Sequence, residues 1–189
     1  MRKFLKFLAV GSFFSTVEEF LTVVVLKRDI ASYVFTLLVL FPAFLLVAYL
    51  AGWLLERRVQ GELRRDLIYY LLLGTLGLMI EWFLIGLSPW ADPNANPLLL
   101  LVFQLGMFAF WASVAFLPRL FVSDGELQRR IRRPMLGFYL PYFFIVYVVA
   151  FAVPADLKFV AVIALIIFGY LFLNLFYGRY LLELGRRGA

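Results

Sequence analysis

The chain has 189 residues, 65% of them hydrophobic and 19% aromatic, with a formal net charge of +6. Soluble domains carry about 45–50% apolar residues, so this composition excludes an ordinary water-soluble core and points to a polytopic membrane protein. There is no cysteine and no histidine, which excludes disulfides, thiolate metal sites and haem or chlorophyll ligation through histidine; no cofactor is expected.

The first ten residues, Met1 to Val10, have the basic-then-apolar look of a signal peptide. No small-x-small cleavage site follows, and Glu18 and Glu19 do, so the segment is expected to remain as a first helix. Six apolar runs are long enough to span a bilayer, which takes about 20 residues. They are Phe4–Leu26, Ala31–Leu55, Leu67–Leu87, Pro97–Phe121, Met135–Val153 and Leu157–Leu182. A span must satisfy its own backbone hydrogen bonds, so each is a helix. The expected fold is all-α: one polytopic domain over residues 1–189, with six transmembrane helices in three hairpins.

Orientation follows from the basic residues. Arg2, Lys3 and Lys6 precede the first helix; Arg57, Arg58, Arg64 and Arg65 lie between the second and third; Arg119, Arg129, Arg130, Arg132 and Arg133 lie between the fourth and fifth; Arg179, Arg186 and Arg187 close the chain. Of the 18 Lys and Arg, Lys27, Arg28 and Lys158 alone fall on the other side. The positive-inside rule then puts both termini in the cytoplasm, in a membrane expected to be the prokaryotic cytoplasmic membrane. The net charge therefore marks a membrane face, and no nucleic-acid partner is expected. On the outer side, Lys27 to Ile30, Ser88 to Asn96 and Pro154 to Asp156 are turns; the second carries Pro89, Trp90, Asp92, Pro93 and Asn94. On the inner side, Ser123-Asp124-Gly125-Glu126 reads as a capping box for a short helix. Arg129, Arg130, Arg132 and Arg133 follow, and they are expected to touch anionic lipid head groups.

The organising stretch is Gly11 to Thr22, which places Glu18 and Glu19 inside a membrane span. A second copy lies 63 positions on: Gly74 matches Gly11, Glu81 matches Glu18, and Phe83 and Leu84 match Phe20 and Leu21. A weaker echo joins the ends of the second and sixth helices, and a parallel duplication would account for both. Gly11, Ser15, Glu18 and Thr22 share one helical face; Gly74, Gly77 and Glu81 form its counterpart. Glycine lets another helix approach closely, and an ionisable group at membrane depth is a functional hypothesis by default. No Lys or Arg lies mid-span, so some of the acids are expected to be protonated at neutral pH. Gln104, Tyr147 and Asn174 are the side chains placed to meet the acids. The bland alternative is a protonated Glu bonded to a neighbouring carbonyl as helix glue. Carboxylates with Gln104 are also hard-cation ligands, but nothing marks a metal site, and no nucleophile motif marks an enzyme. The aromatics, including Trp82, Trp90, Trp111 and the ten tyrosines, are expected mostly to face lipid or the interface. Pro42, Pro118 and Pro141 are candidate kinks.

Residues 3–58 resemble the start of the GtrA-like membrane proteins. The resemblance rests on Lys3-Phe4-Leu5-Lys6-Phe7, the Val10-Gly11 step, an acid at Glu18 and the Arg57-Arg58 cluster. That family is built from four helices, and the likeness implies movement of polyprenyl-phosphate-linked sugars across the bilayer. This chain departs from it in having Glu rather than Asp at position 18 and in a third hairpin. The string Val17-Glu18-Glu19-Phe20-Leu21 is also similar to membrane lycopene cyclases, whose usual proline before the acids is Thr16 or Val17 here. The expected function is a small transporter or flippase-like protein with a binding site for a proton, cation or polar substrate at Glu18, Glu19, Glu81 and Gln104. The alternatives are an accessory subunit of a membrane complex and a membrane enzyme acting on an isoprenoid or other lipid. Membrane lipids are the expected partners, with a second copy or a partner membrane subunit alongside.

Overall fold

The structure is a computed structural model and describes residues 2–90, 94 and 96–188. Asp92 and Pro93, part of the expected second outer turn, lie outside the described residues. Among the described residues all regular structure is helical. Six helices are long and apolar enough to cross a membrane: α1 (Arg2–Leu26), α2 (Ile30–Arg58), α3 (Glu62–Ile85), α4 (Pro97–Val122), α5 (Glu126–Ala152) and α6 (Ala155–Arg187).

Several helices overrun their apolar runs at the basic ends. An apolar window marks only the part that must avoid water, whereas helical bonding continues into polar turns until something stops it. Thus α2 continues to Arg58, α3 starts at Glu62 and α6 runs on to Arg187. For α5 the difference is a correction. The short helix expected after Ser123 is no separate element, because Glu126–Ala152 is continuous through Pro134 and Pro141 and carries the arginines in its first turns. Its N-cap, Gly125, has no side chain to cap with.

The axis of the bundle is α4. Every residue from Ala109 to Pro118 is buried, as a helix apolar all round requires. The main packing partners of α4 are α1, α3 and α6. Neighbouring helices meet with residue numbers rising on one and falling on the other. Phe4 and Phe7 meet Tyr49, and Phe20 meets Tyr33, across α1 and α2. Tyr69 bonds the Ala115 carbonyl and Trp82 bonds Gln104 across α3 and α4. Phe138 meets Phe172, and Tyr142 bonds the Leu165 carbonyl, across α5 and α6. Glycines allow close approaches: a Cβ on Gly11 would fall 2.3 Å from Leu45 Cδ2, and one on Gly106 would fall 2.7 Å from Ile167.

The α1–α2 turn is fastened by Asp29, which accepts from the Ser32 N–H at 2.9 Å and the Ser32 hydroxyl at 2.6 Å. The Ser32 hydroxyl, then its N–H, holds the Asp29 carboxyl below its ordinary range. The bonded form is the charged one, so this support is complete above the ordinary carboxylate range and lost as pH falls through the lowered value. Asp29→Ala is expected to melt below the wild type in detergent at neutral pH, with the gap closing on acidification below about pH 4. Gly106→Leu is expected to cost about 1–3 kcal/mol by forcing α4 and α6 apart, read from the same thermal unfolding.

Candidate functional site

Helical bonding widens where the acids sit. Phe20–Leu26 in α1, Thr36–Leu40 in α2 and Glu81–Ile85 in α3 are π-helical. The N–H groups of Lys27 and Gly86 reach back five residues, to the carbonyls of Thr22 and Glu81. The α2 segment ends just before Pro42, which has no N–H to donate. Such widened turns are rare and concentrate at functional sites.

Glu18 and Glu81 are buried and Glu19 half-buried. Glu81 Oε1 accepts from Trp111 Nε1 at 2.8 Å. Gly77, one turn before Glu81, makes room for that indole: a Cβ there would lie 2.0 Å from Trp111 Cγ. The fields of Glu19 and Glu81 both reach Glu18, and that of Glu19 reaches Glu81. The Thr22 hydroxyl donates to the Glu18 backbone carbonyl at 3.3 Å, and the Thr36 hydroxyl to the Ser32 carbonyl at 2.8 Å. From α5, Tyr139 donates to the Phe14 carbonyl at 3.3 Å and Tyr147 to the Val17 carbonyl at 2.8 Å, both on the turn of α1 before Glu18. Lys27, at the end of α1, is exposed, and among the described residues no ion pair joins it to Glu18, Glu19 or Glu81.

Two of the side chains expected at the acids are engaged elsewhere. Gln104 accepts from Trp82 Nε1 at 2.7 Å and donates to the Leu87 carbonyl at 3.3 Å. It lies seven residues before Trp111, about 10 Å along the helix, and closes the α3–α4 end. Asn174 bonds Tyr70, Ser113 and the Ala109 carbonyl. Among the described residues no group of three or more acids is placed to hold a metal ion. The aromatic expectation also needs correcting. Trp111 is 1% exposed, and Tyr69, Tyr139, Tyr170, Tyr177 and Tyr180 are buried. The rings pack inside, and four of these five hydroxyls bond groups on other helices.

A second polar cluster, which the sequence reading missed, sits at the end of the bundle where Arg58 and Glu62 lie. Asp66 is buried and pairs with Arg119 at 3.0 Å. Tyr180 donates to Asp66 Oδ2 at 2.7 Å, Gln128 donates to Tyr180 at 3.1 Å, and Tyr177 donates to the Asp66 carbonyl at 3.1 Å. Arg119 also lies 3.4 Å from Glu56 and stacks over the Tyr69 ring. A cavity of about 280 Å³ opens beside this cluster, with Lys3, Trp53, Glu62 and Arg65 in its lining. The sequence signal was an acid buried in the basic run Arg64-Arg65-Asp66, which reads as a solvated flank. Of the arginines expected at head groups, Arg130 pairs with Glu183, and Arg132 donates to the Phe121 carbonyl at 3.1 Å. Arg129 and Arg133 are exposed.

No protein-family model, no curated protein and no solved structure matches the chain.

Removing one partner of a buried ion pair strands the other. Asp66→Asn is therefore expected to cost about 3–5 kcal/mol, read as a lowered thermal midpoint in detergent. Gly77→Ala is expected to displace Trp111 from Glu81, with a red shift and quenching of tryptophan emission that Trp111→Phe removes.

Proposed function

We propose that the chain is a small multi-pass membrane transporter, flippase-like in build, whose work depends on Glu18, Glu19 and Glu81. The carrying observation is that Glu18 on α1 and Glu81 on α3 are both buried within the bundle, with Glu81 bonded to the buried Trp111 indole of α4. Charge is costly at this depth, and such groups mark ion, proton or substrate pathways. The widened turns in α1, α2 and α3 support the same reading, since they fall on the helices that line the acids. An accessory subunit would turn its acids toward a foreign chain, whereas Glu81 bonds within this one. The likeness of residues 3–58 to GtrA-like proteins also points toward transport.

In this reading the six helices form three antiparallel pairs with both termini in the cytoplasm, and the carboxylates lie in the outer third of the bilayer. The paired glycine–glutamate patterns of α1 and α3 descend from a duplication, and both helices pack on α4. Arg129 and Arg133 reach lipid head groups. A chain this short encloses its path together with a second copy or a partner subunit.

The test uses protons as the probe. Purified protein in liposomes with a trapped pH dye should pass protons down an imposed voltage. Glu81→Gln should cut that flux about tenfold or more while leaving the melting temperature unchanged, because the amide oxygen still accepts from Trp111. Flux equal to empty liposomes, or a Glu81→Gln variant as active as wild type, would overturn the reading.

A further inference from the structure

The cavity of about 280 Å³ beside Asp66 and Arg119 is lined by charges of both signs that the ion pairs leave unspent. Asp66 is closed: its Oδ1 accepts from Arg119 at 3.0 Å and its Oδ2 from Tyr180 at 2.7 Å. Arg65 lines the same cavity, and its Nε stands 3.7 Å from that occupied Oδ1, near enough for attraction and too far for a hydrogen bond. The Arg65 guanidinium donates no hydrogen bond to any of the described residues. Lys3 and Glu62 are exposed at the mouth and have no ion pair among the described residues. Glu56 lies 3.4 Å from Arg119, whose nearer acid is Asp66. No ion pair among the described residues joins Lys3 or Arg65 to Glu56 or Glu62. Two cations and two acids therefore line one cavity without cancelling each other.

A ligand that satisfies both signs carries an anion and a cation of its own, held apart. An ammonium with a guanidinium fork suits phosphate oxygens. Two carboxylates suit the three N–H donors of a primary ammonium. A quaternary ammonium would need open aromatic faces instead. Two rings in the lining already carry guanidinium groups: Arg57 lies over Trp53 at 3.9 Å, and Arg119 over Tyr69 at 4.8 Å. The lining also fixes the level of the site. Its inner part includes the buried rings of Phe7, Tyr69 and Phe116, whereas Lys3, Glu56 and Glu62 are exposed. Trp53 lines the cavity and is 46% exposed, so the cavity adjoins the surface that meets lipid. Ligand pockets hold about 300–1,000 Å³, so this volume suits a head group whose chains stay outside.

We infer that this cavity binds the head group of a zwitterionic phospholipid that carries a primary amine. Lys3 and Arg65 take the phosphate, Glu56 and Glu62 take the ammonium, and the acyl chains leave past Trp53 into the bilayer. Basic pockets between membrane helices hold lipid phosphates in this way; the two acids add selection for the amine. The site is separate from Glu18 and Glu81 and does not rest on the transporter reading.

The test is native mass spectrometry of the detergent-solubilised protein with phosphatidylethanolamine, phosphatidylcholine and phosphatidylglycerol of matched chains. Phosphatidylethanolamine should saturate at one lipid per chain and bind about fivefold tighter than either of the others. Lys3→Gln should weaken phosphatidylethanolamine and phosphatidylglycerol alike, by about fivefold. Glu62→Gln should weaken phosphatidylethanolamine by a similar factor and leave phosphatidylglycerol as tight or tighter. Both residues are exposed and outside the Asp66–Arg119 pair, so both variants should melt with the wild type. Equal occupancy by the three lipids, or no saturation, would overturn the inference. So would a Glu62→Gln variant that binds phosphatidylethanolamine as wild type does, or that loses phosphatidylglycerol equally. Glycerophosphoethanolamine, the same head group without chains, should compete only in large excess. Competition at equal concentration would overturn a lipid as the source of the head group.

Discussion

Carboxylates held away from water constrain everything else in this molecule. A charge in an apolar surround is expensive unless other groups supply the solvation that water gave. Here the supply shown is an indole N–H for Glu81, given by Trp111 of α4. That supplier needs backbone to be placed for it. Gly77 yields the volume that Trp111 fills, and widened turns re-aim the ends of α1 and α3. The packing of α1 and α3 on α4 follows from the same need, because α4 carries the indole.

The two ends of the bundle solve their charge problems differently. Toward the α1–α2 and α3–α4 turns, Glu18 and Glu81 are buried, and among the described residues no ion pair matches either of them. At the other end, Asp66 is matched by Arg119 at hydrogen-bond distance and locked by Tyr180, Gln128 and Tyr177. A matched, multiply bonded pair is a fixed structural knot that joins α3, α4, α5 and α6. The acids at the first end have no such matched pair among the described residues, and the proposed function rests on that contrast.

The sequence made the fold legible because lipid leaves few choices. Twenty apolar residues must be a helix, and the basic residues mark the flanks, so the six helices were readable to within a few residues at most ends. The overrun of α5 was not, because its first turns are polar and an apolar window ignores them. In the site, the repeated spacing from glycine to glutamate exposed Glu18 and Glu81. Trp111 was lost among the aromatics because a tryptophan in a membrane helix usually faces the interface, and only its neighbour Gly77 hints at an inward ring. Gln104 drew notice as a lone amide, yet Trp82 and the Leu87 carbonyl hold it at the helix end. Asp66 was hidden by the arginines around it.

The central claim is that the acids of α1 and α3 face one enclosed space. The chain has no cysteine, so Glu18→Cys and Glu81→Cys can be introduced together on a clean background and treated in native membranes with a short bis-maleimide. The account predicts an intramolecular cross-link that shifts gel mobility, with none for the control pair Phe13→Cys and Leu84→Cys on exposed faces. No cross-link between positions 18 and 81, with both thiols open to a bulky membrane-impermeant reagent, would contradict it.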